Sequence, residues 1–232
     1  MIAENLRIVE EKIEAACRRA GRERPSVTLI AVSKTKPLEA VLEAAAAGQK
    51  DFGENKAQEL KAKQDEIPAS LGLRWHFIGN LQKNKVKYLV GRNILIHSVS
   101  SAELAHEIER LSEKREVITE VLAEVNIADE ATKHGVDREG ALALLTEMAT
   151  LPHLHLRGLM AIAPPVEDPE ENRKYFIALR ELMDQVNASG LFPHPLTELS
   201  MGMSGDYEVA IEEGATFVRV GTAIFGERNY AI

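Results

Sequence analysis

The sequence predicts an α/β fold, a single (β/α)8 TIM-type barrel with an extra N-terminal helix. Three observations carry this. Short apolar, β-branched segments alternate with helical ones along the chain, which implies a parallel sheet with right-handed crossovers. The strand candidates number eight, a count that favours a closed barrel over an open sheet. The length of 232 residues just fits a barrel, typically ~250 residues, and no stretch reads as a linker, so residues 1–232 are expected to form one barrel domain.

The elements follow in order. Residues 3–19 place Leu6, Val9, Ile13 and Ala16 at helical spacing between Glu and Arg. Gly21 and Pro25 end this helix, and residues 1–20 are expected to pack on the barrel. VTLIAVS (27–33) is the first strand, and Pro37 opens a helix to Ala47. KDFGE (50–54) is the second strand, followed by a charged helix to about Glu66. RWHFIG (74–79) is the third, with a helix through Leu89, and NILIHSV (93–99) is the fourth. Ser100 or Ser101 caps the next helix, with Glu103 placed to close a capping box. The fifth strand lies within 117–127, followed by a helix over 137–151; the sixth is LRGLMAIA (156–163), followed by a long helix over 169–189. LTELS (196–200) is the seventh, followed by a helix over 206–213, and ATFVRVG (215–221) is the eighth.

Composition narrows the function classes. A net charge of −8 argues against a nucleic-acid binder, which needs a basic face. The lysines of KTK (34–36) and QKNKVK (82–87) suit a solvated helix face or a small-anion site. Cys17 is the only cysteine, so an intramolecular disulfide is impossible, which fits a reducing cytosol. The start lacks an apolar secretory core, and no apolar run nears the ~20 residues of a membrane span. A cytoplasmic protein is expected. No interface stripe stands apart from the barrel pattern, so a monomer is expected.

Barrel active sites lie at the C-terminal ends of the strands, and phosphate often binds after strands seven and eight. That rule sends Lys34, Asn55, His76, Gly79, Asn126, Met160, Ser200, Gly221 and Thr222 to one mouth. Lys34 ends the apolar run LIAVSK, where a neutral amine could form an imine with an aldehyde; Lys36, of the same side-chain parity, is its competitor. SMGMSGD (200–206) combines Gly202 and Gly205 with the hydroxyls of Ser200 and Ser204 and a helix start near Asp206. Such a turn can hold an anion, although an ordinary serine-capped loop has the same letters. Gly221–Thr222 add donors. A lysine opposite two phosphate-type loops suggests a phosphorylated aldehyde, and pyridoxal 5′-phosphate (PLP) is the usual biological one.

Arg219 lies inside the eighth strand, on the same face as Phe217 and Gly221. It is either half of a structural ion pair or the neighbour of a bound PLP ring nitrogen. In the second role it would keep that nitrogen unprotonated and weaken the cofactor as an electron sink. His153 and His155 lack metal-ligand spacing. No GxGxxG follows the first strand, so a nicotinamide site is unsupported. Cys17 reads as packed rather than nucleophilic.

The stretches AVSKTKP (31–37), FGENKAQE (52–59), WHFIGNLQKNK (75–85), EVNIADEATKHG (124–135), RGLMAIAP (157–164), LSMGMSGDYEVAI (199–211) and VRVGTAIFGER (218–228) run in order over nearly the whole chain. In them the chain resembles the PLP homeostasis proteins, the YggS/PROSC (PLPBP) family. The resemblance implies a fold like the N-terminal domain of alanine racemase, with PLP held as a Schiff base on Lys34. It implies Asn55 near the ring hydroxyl, Arg219 near the ring nitrogen, and Ser200, Ser204, Gly221 and Thr222 around the phosphate, with His76 and Met201 lining the pocket. It further implies PLP homeostasis without established turnover, and PLP-requiring apo-enzymes as partners. Racemases of this type use a second domain with a catalytic tyrosine. With the sequence ending at Ile232, no such domain is expected, and neither Tyr207 nor Tyr230 reads as a second acid or base. The alternative is a small PLP-dependent amino-acid racemase or lyase. A barrel that binds a sugar phosphate is a third reading.

Overall fold

A computed structural model describes residues 1–128 and 135–227. Residues 129–134 of the EVNIADEATKHG stretch, Arg228 and Tyr230 fall outside them. Eight parallel strands close into a barrel in chain order, the first pairing with the eighth. They are β1 (Thr28–Val32), β2 (Asp51–Glu54), β3 (Arg74–Phe77), β4 (Ile94–Val99), β5 (Thr119–Glu124), β6 (Leu154–Met160), β7 (Glu198–Met203) and β8 (Phe217–Val220). The helices are α1 (Ile2–Arg19), α2 (Leu38–Ala46), α3 (Ala57–Glu66), α4 (Ala102–Lys114), α5 (Arg138–Met148), α6 (Arg173–Ser189), α7 (Tyr207–Glu212) and α8 (Thr222–Phe225).

Every expected strand is present, and strand parity sorts the core. Ile30, Leu95, Leu122, Met160 and Phe217 point inward and form a small apolar cluster inside the barrel. Their outward neighbours, such as Leu29, Ala31, Leu199 and Val218, join the larger core between barrel and helices. α1 buries Leu6, Val9 and Ile13 against α2, α7 and α8, which contributes roughly 5–9 kcal/mol as an upper bound. Asn5 Nδ2 donates to Ile224 O at 2.8 Å and ties α1 to α8. Cys17 lies buried on the same face.

Four local expectations change. The segment after β3 is a 3-10 helix, Lys83–Tyr88, rather than an α-helix; in KNKVKY only Val86 is buried, which leaves too little apolar face for more turns. Of the two expected serines, Ser101 caps α4 by accepting from Leu104 N. That places Glu103 one position too early for a capping box, and its carboxylate bonds Lys83 Nζ instead, at 3.0 Å. A 3-10 turn, Pro169–Asn172, precedes α6. β7 runs three residues past Ser200, to Met203.

Candidate functional site

Lys34 lies half-buried just beyond β1, between two anchored neighbours. Ser33 N donates to Gly53 O at 3.0 Å, and Ser33 Oγ donates to Glu54 Oε1 at 2.6 Å. Lys63 Nζ, from α3, donates to Ser33 O, Glu54 Oε1 and Glu59 Oε1 at 2.7–2.9 Å. On the other side Thr35 N donates to Glu59 Oε1 at 2.9 Å, and Thr35 has φ 63°, left-handed backbone that a non-glycine residue adopts at a cost. Glu54 is fully buried; desolvation raises its pKa, and the Lys63 ammonium works against that rise. Lys36 is committed elsewhere. Its Nζ donates to the carbonyls of Phe225, Gly226 and Glu227 at 3.0–3.2 Å, closing the end of α8.

Asn55 follows β2. Its Oδ1 is buried with no hydrogen-bond partner in the structure. The loop after β3 passes so close that a Cβ on Gly79 would lie 2.2 Å from Asn55 O, so only glycine fits there. Across the mouth, Ser204 Oγ accepts from Gly221 N at 3.1 Å and from Thr222 Oγ1 at 3.4 Å. These three groups converge with no charged group of their own. The turn carrying Ser204 is pinned by Asp206, whose Oδ1 accepts from Met203 N and whose Oδ2 accepts from Asn172 Nδ2, at 2.7 and 2.8 Å. Asp206 is the N-cap residue of α7, yet its carboxylate makes no hydrogen bond to that helix. Gly202 serves packing as well: a Cβ there would lie 2.6 Å from Ala210 Cβ and 2.9 Å from Tyr207 Cα, so its size lets α7 approach β7.

Arg219 is buried beneath this end of the barrel. It donates to Ser200 Oγ at 2.5 Å and to Ala161 O at 2.9 Å. Burial pushes its pKa down to about 10, and the charges of Asp206 and Glu124 work against that fall, so it stays cationic at neutral pH. Glu124, the last residue of β5, is buried too; desolvation raises its carboxyl to about 7, with Arg219 opposing. Tyr207 is buried, and desolvation pushes its phenol up to about 12, which removes it as a proton carrier near neutrality.

Three expected site residues lie elsewhere. Ser200 is fully buried in mid-strand and bonded to Arg219 and His97, because β7 does not end at it. His76 is buried inside the barrel, where it bonds Asp51 and His97. It lines a cleft of about 390 Å³ at the opposite, N-terminal end of the strands, with Asp51 and Arg74. Met201 has outward parity and is fully buried in the core between barrel and helices. Sequence reading missed Asp51, Glu54, Lys63, His97, Glu124 and Asp206. Inward parity was a usable signal for His97 and Glu124, since they sit two residues from Leu95 and Leu122. No local pattern marks the Lys63–Glu54 pair.

The arrangement combines an amine at Lys34, hydroxyl and amide donors at Ser204, Gly221 and Thr222, an orphaned acceptor on Asn55 and a buried cation at Arg219. That donor set fits an aldehyde that carries a phosphate and a polar ring. The sequence profile of the family described as alanine racemase, N-terminal domain, matches residues 5–229. A relative from Aquifex aeolicus, named pyridoxal phosphate homeostasis protein, is 47% identical over 227 residues, covering 98% of each chain. Another of the same name, from Pseudomonas aeruginosa, is 46% identical over 232 residues, covering 99% of this chain and 96% of its own. The solved structure of PipY from Synechococcus elongatus PCC7942 with PLP bound is 38% identical, with a TM-score of 0.82 over 97% of this chain and 100% of that one. The chain thus belongs to the pyridoxal phosphate homeostasis protein family, built on the barrel of the alanine racemase N-terminal domain.

Proposed function

We propose that this protein binds PLP at the C-terminal mouth of the barrel and serves PLP homeostasis by holding the cofactor reversibly. The observation that carries this reading is the convergence of the Lys34 segment with Ser204, Gly221 and Thr222 above the buried Arg219 cation. Bound PLP supplies an aldehyde for covalent attachment and a ring able to withdraw electrons. Lys34 supplies the amine. The Ser204 and Thr222 hydroxyls and the Gly221 amide, which now satisfy one another, turn to the phosphate. Asn55 orients the ring through its unsatisfied Oδ1. Arg219 holds a permanent charge beneath the ring, which keeps the ring nitrogen unprotonated and favours holding over turnover. Ser200, His76 and Met201 support the site from within the fold rather than by contact. PLP-requiring apo-enzymes are the recipients this role implies, in the cytoplasm.

Titration of the purified protein with PLP, read by its visible absorbance, tests the reading. Borohydride fixation followed by peptide mapping should then mark Lys34. A protein that stays colourless, or a label on Lys36, overturns the assignment. One observation favours the second reading, an amino-acid racemase or lyase: Glu124, with a pKa of about 7, is a buried group able to exchange a proton at neutral pH. Sustained deuterium exchange at the Cα of amino acids, abolished in Glu124→Gln, would establish it.

A further inference from the structure

Hydrogen bonds link Arg219 to the far end of the barrel. Arg219 NH1 lies 2.5 Å from Ser200 Oγ. Ser200 Oγ lies 2.8 Å from His97 Nδ1, and His97 Nε2 lies 2.9 Å from His76 Nδ1. His76 Nε2 lies 3.1 Å from Asp51 Oδ1, and Arg74 grips the Asp51 carboxylate from the cleft with two hydrogen bonds. His76, His97 and Ser200 are buried. Phe217 packs edge-on against both imidazoles, with ring centroids 5.4 Å away in each case, and holds their orientation.

With both imidazoles neutral, the chemistry of the two ends leaves one proton arrangement. Arginine only donates, and a carboxylate only accepts. Asp51 therefore takes the Nε2 proton of His76, which leaves His76 Nδ1 as an acceptor. His97 must then donate from Nε2, which leaves its own Nδ1 as an acceptor. Ser200 donates its single proton to that Nδ1 and accepts from Arg219. Every proton then points from the cation towards the carboxylate. Burial, reinforced by the Arg219 cation, holds the pKa of His97 well below its ordinary value, in accord with a neutral ring.

We propose that Ser200, His97, His76 and Asp51 form a directed hydrogen-bond relay through the barrel that fixes the orientation of the Arg219 guanidinium, which makes His97 and Asp51 positioning residues for the bound ring. The relay stands on the protein's own contacts; the role of its upper end rests on the PLP reading above. A buried cation with no route to a carboxylate is costly. Here the charges of Asp206 and Glu124 offset that of Arg219, and the relay adds a fixed acceptor that holds the guanidinium plane.

The test uses the full chain without cofactor. Nitrogen-15 spectra of the histidine rings at pH 7 should show His76 and His97 both neutral and both protonated at Nε2. His97→Phe takes from Ser200 the acceptor that orients its hydroxyl towards Arg219 and should speed solvent exchange of the Arg219 guanidinium protons roughly tenfold, as expected when one hydrogen bond of the chain is lost. Asp51→Asn keeps the side-chain volume and guards against a folding artefact: it should mix the two tautomers of His76 while the circular dichroism stays native. A protonated ring, a His97 protonated at Nδ1, or Arg219 exchange unchanged in both variants overturns the relay. Failure of the wild type to bind PLP would instead overturn the reading of the mouth and would leave these cofactor-free signals as they are, so the two failures are distinguishable.

Discussion

Lys63→Met removes the ammonium that Glu54 depends on while keeping most of the aliphatic stem. Glu54 is fully buried, and Lys63 Nζ lies 2.7 Å from its Oε1. Breaking a buried pair from one side costs about 3–5 kcal/mol if the remaining charge persists. The carboxyl has a cheaper route, which is to take up a proton. From its ordinary value of 4.5, staying neutral at pH 7 costs about 3.4 kcal/mol, at ~1.4 kcal/mol per pH unit. The wild-type carboxyl is already raised, which lowers the difference between the two proteins. The carbonyl of Ser33, left without its donor, adds about 1–3 kcal/mol. A net loss of about 3 kcal/mol at pH 7 follows, a fall in Tm of roughly 6–12 °C for a chain of this size. The sign with pH is fixed. An acid whose folded pKa is raised costs stability as pH climbs from its ordinary value towards the folded one, so the gap between variant and wild type widens from pH 5 to pH 8. Urea unfolding across that range measures it. Glu54→Gln added to Lys63→Met should recover most of the loss, because no charge then remains to bury. A loss below about 1 kcal/mol at pH 7, or one that is equal at pH 5 and pH 8, would refute the reasoning.

Three further outcomes are expected. Gly79→Ala forces a Cβ to within 2.2 Å of Asn55 O, so it should displace the Asn55 loop and weaken PLP binding in an absorbance titration, whereas Gly205→Ala, with nothing within 4 Å of its added carbon, should change stability by less than about 0.5 kcal/mol. Glu124 has its pKa raised from 4.5 to about 7, so the wild type loses stability as pH rises through that window; Glu124→Gln should be more stable by about 3 kcal/mol at pH 8 and equal at pH 4 in urea unfolding, and an equal gain at both would count against it. Asp206→Ala strips the acceptors from Met203 N and Asn172 Nδ2, at a cost of about 3 kcal/mol, and should speed hydrogen exchange of the Met203 amide; unchanged exchange would show that the turn stands without it.

The barrel was legible because alternation of apolar strands with helices is a periodic signal repeated along the chain, and each repeat corrects for a blurred boundary. The mouth was legible where a residue sits beyond a strand end, as Lys34 and Thr222 do. The failures share one cause, which is depth. SMGMSGD reads as a loop because of its glycines, yet β7 continues through Met203 with a register shift between Ser200 and Met203, and Gly202 is small on account of α7. Ser200 therefore lies in mid-barrel. His76 was misplaced for the same reason: β3 ends at Phe77, and the partner that fixes His76 is Asp51, from a different strand. Cross-strand register is invisible in single letters.

The two buried polar systems explain why the mouth is ready before a ligand arrives. Outside the barrel wall, Glu54, Lys63 and Glu59 hold the backbone on both sides of Lys34, including Thr35 in its strained conformation. Inside, Arg219 is held from below by Ser200 and from the side by Ala161 O. Ordering a flexible segment on binding costs free energy that subtracts from affinity, and here that cost has been met during folding. The amine and the cation then differ in kind. Lys34 lies half-buried at the rim, whereas Arg219 is locked in the interior. In the proposed role, a fixed cation under a reversible lysine would hold an electron-poor ring in one orientation and let it go, and the residue that orients the cofactor would also weaken its electron sink.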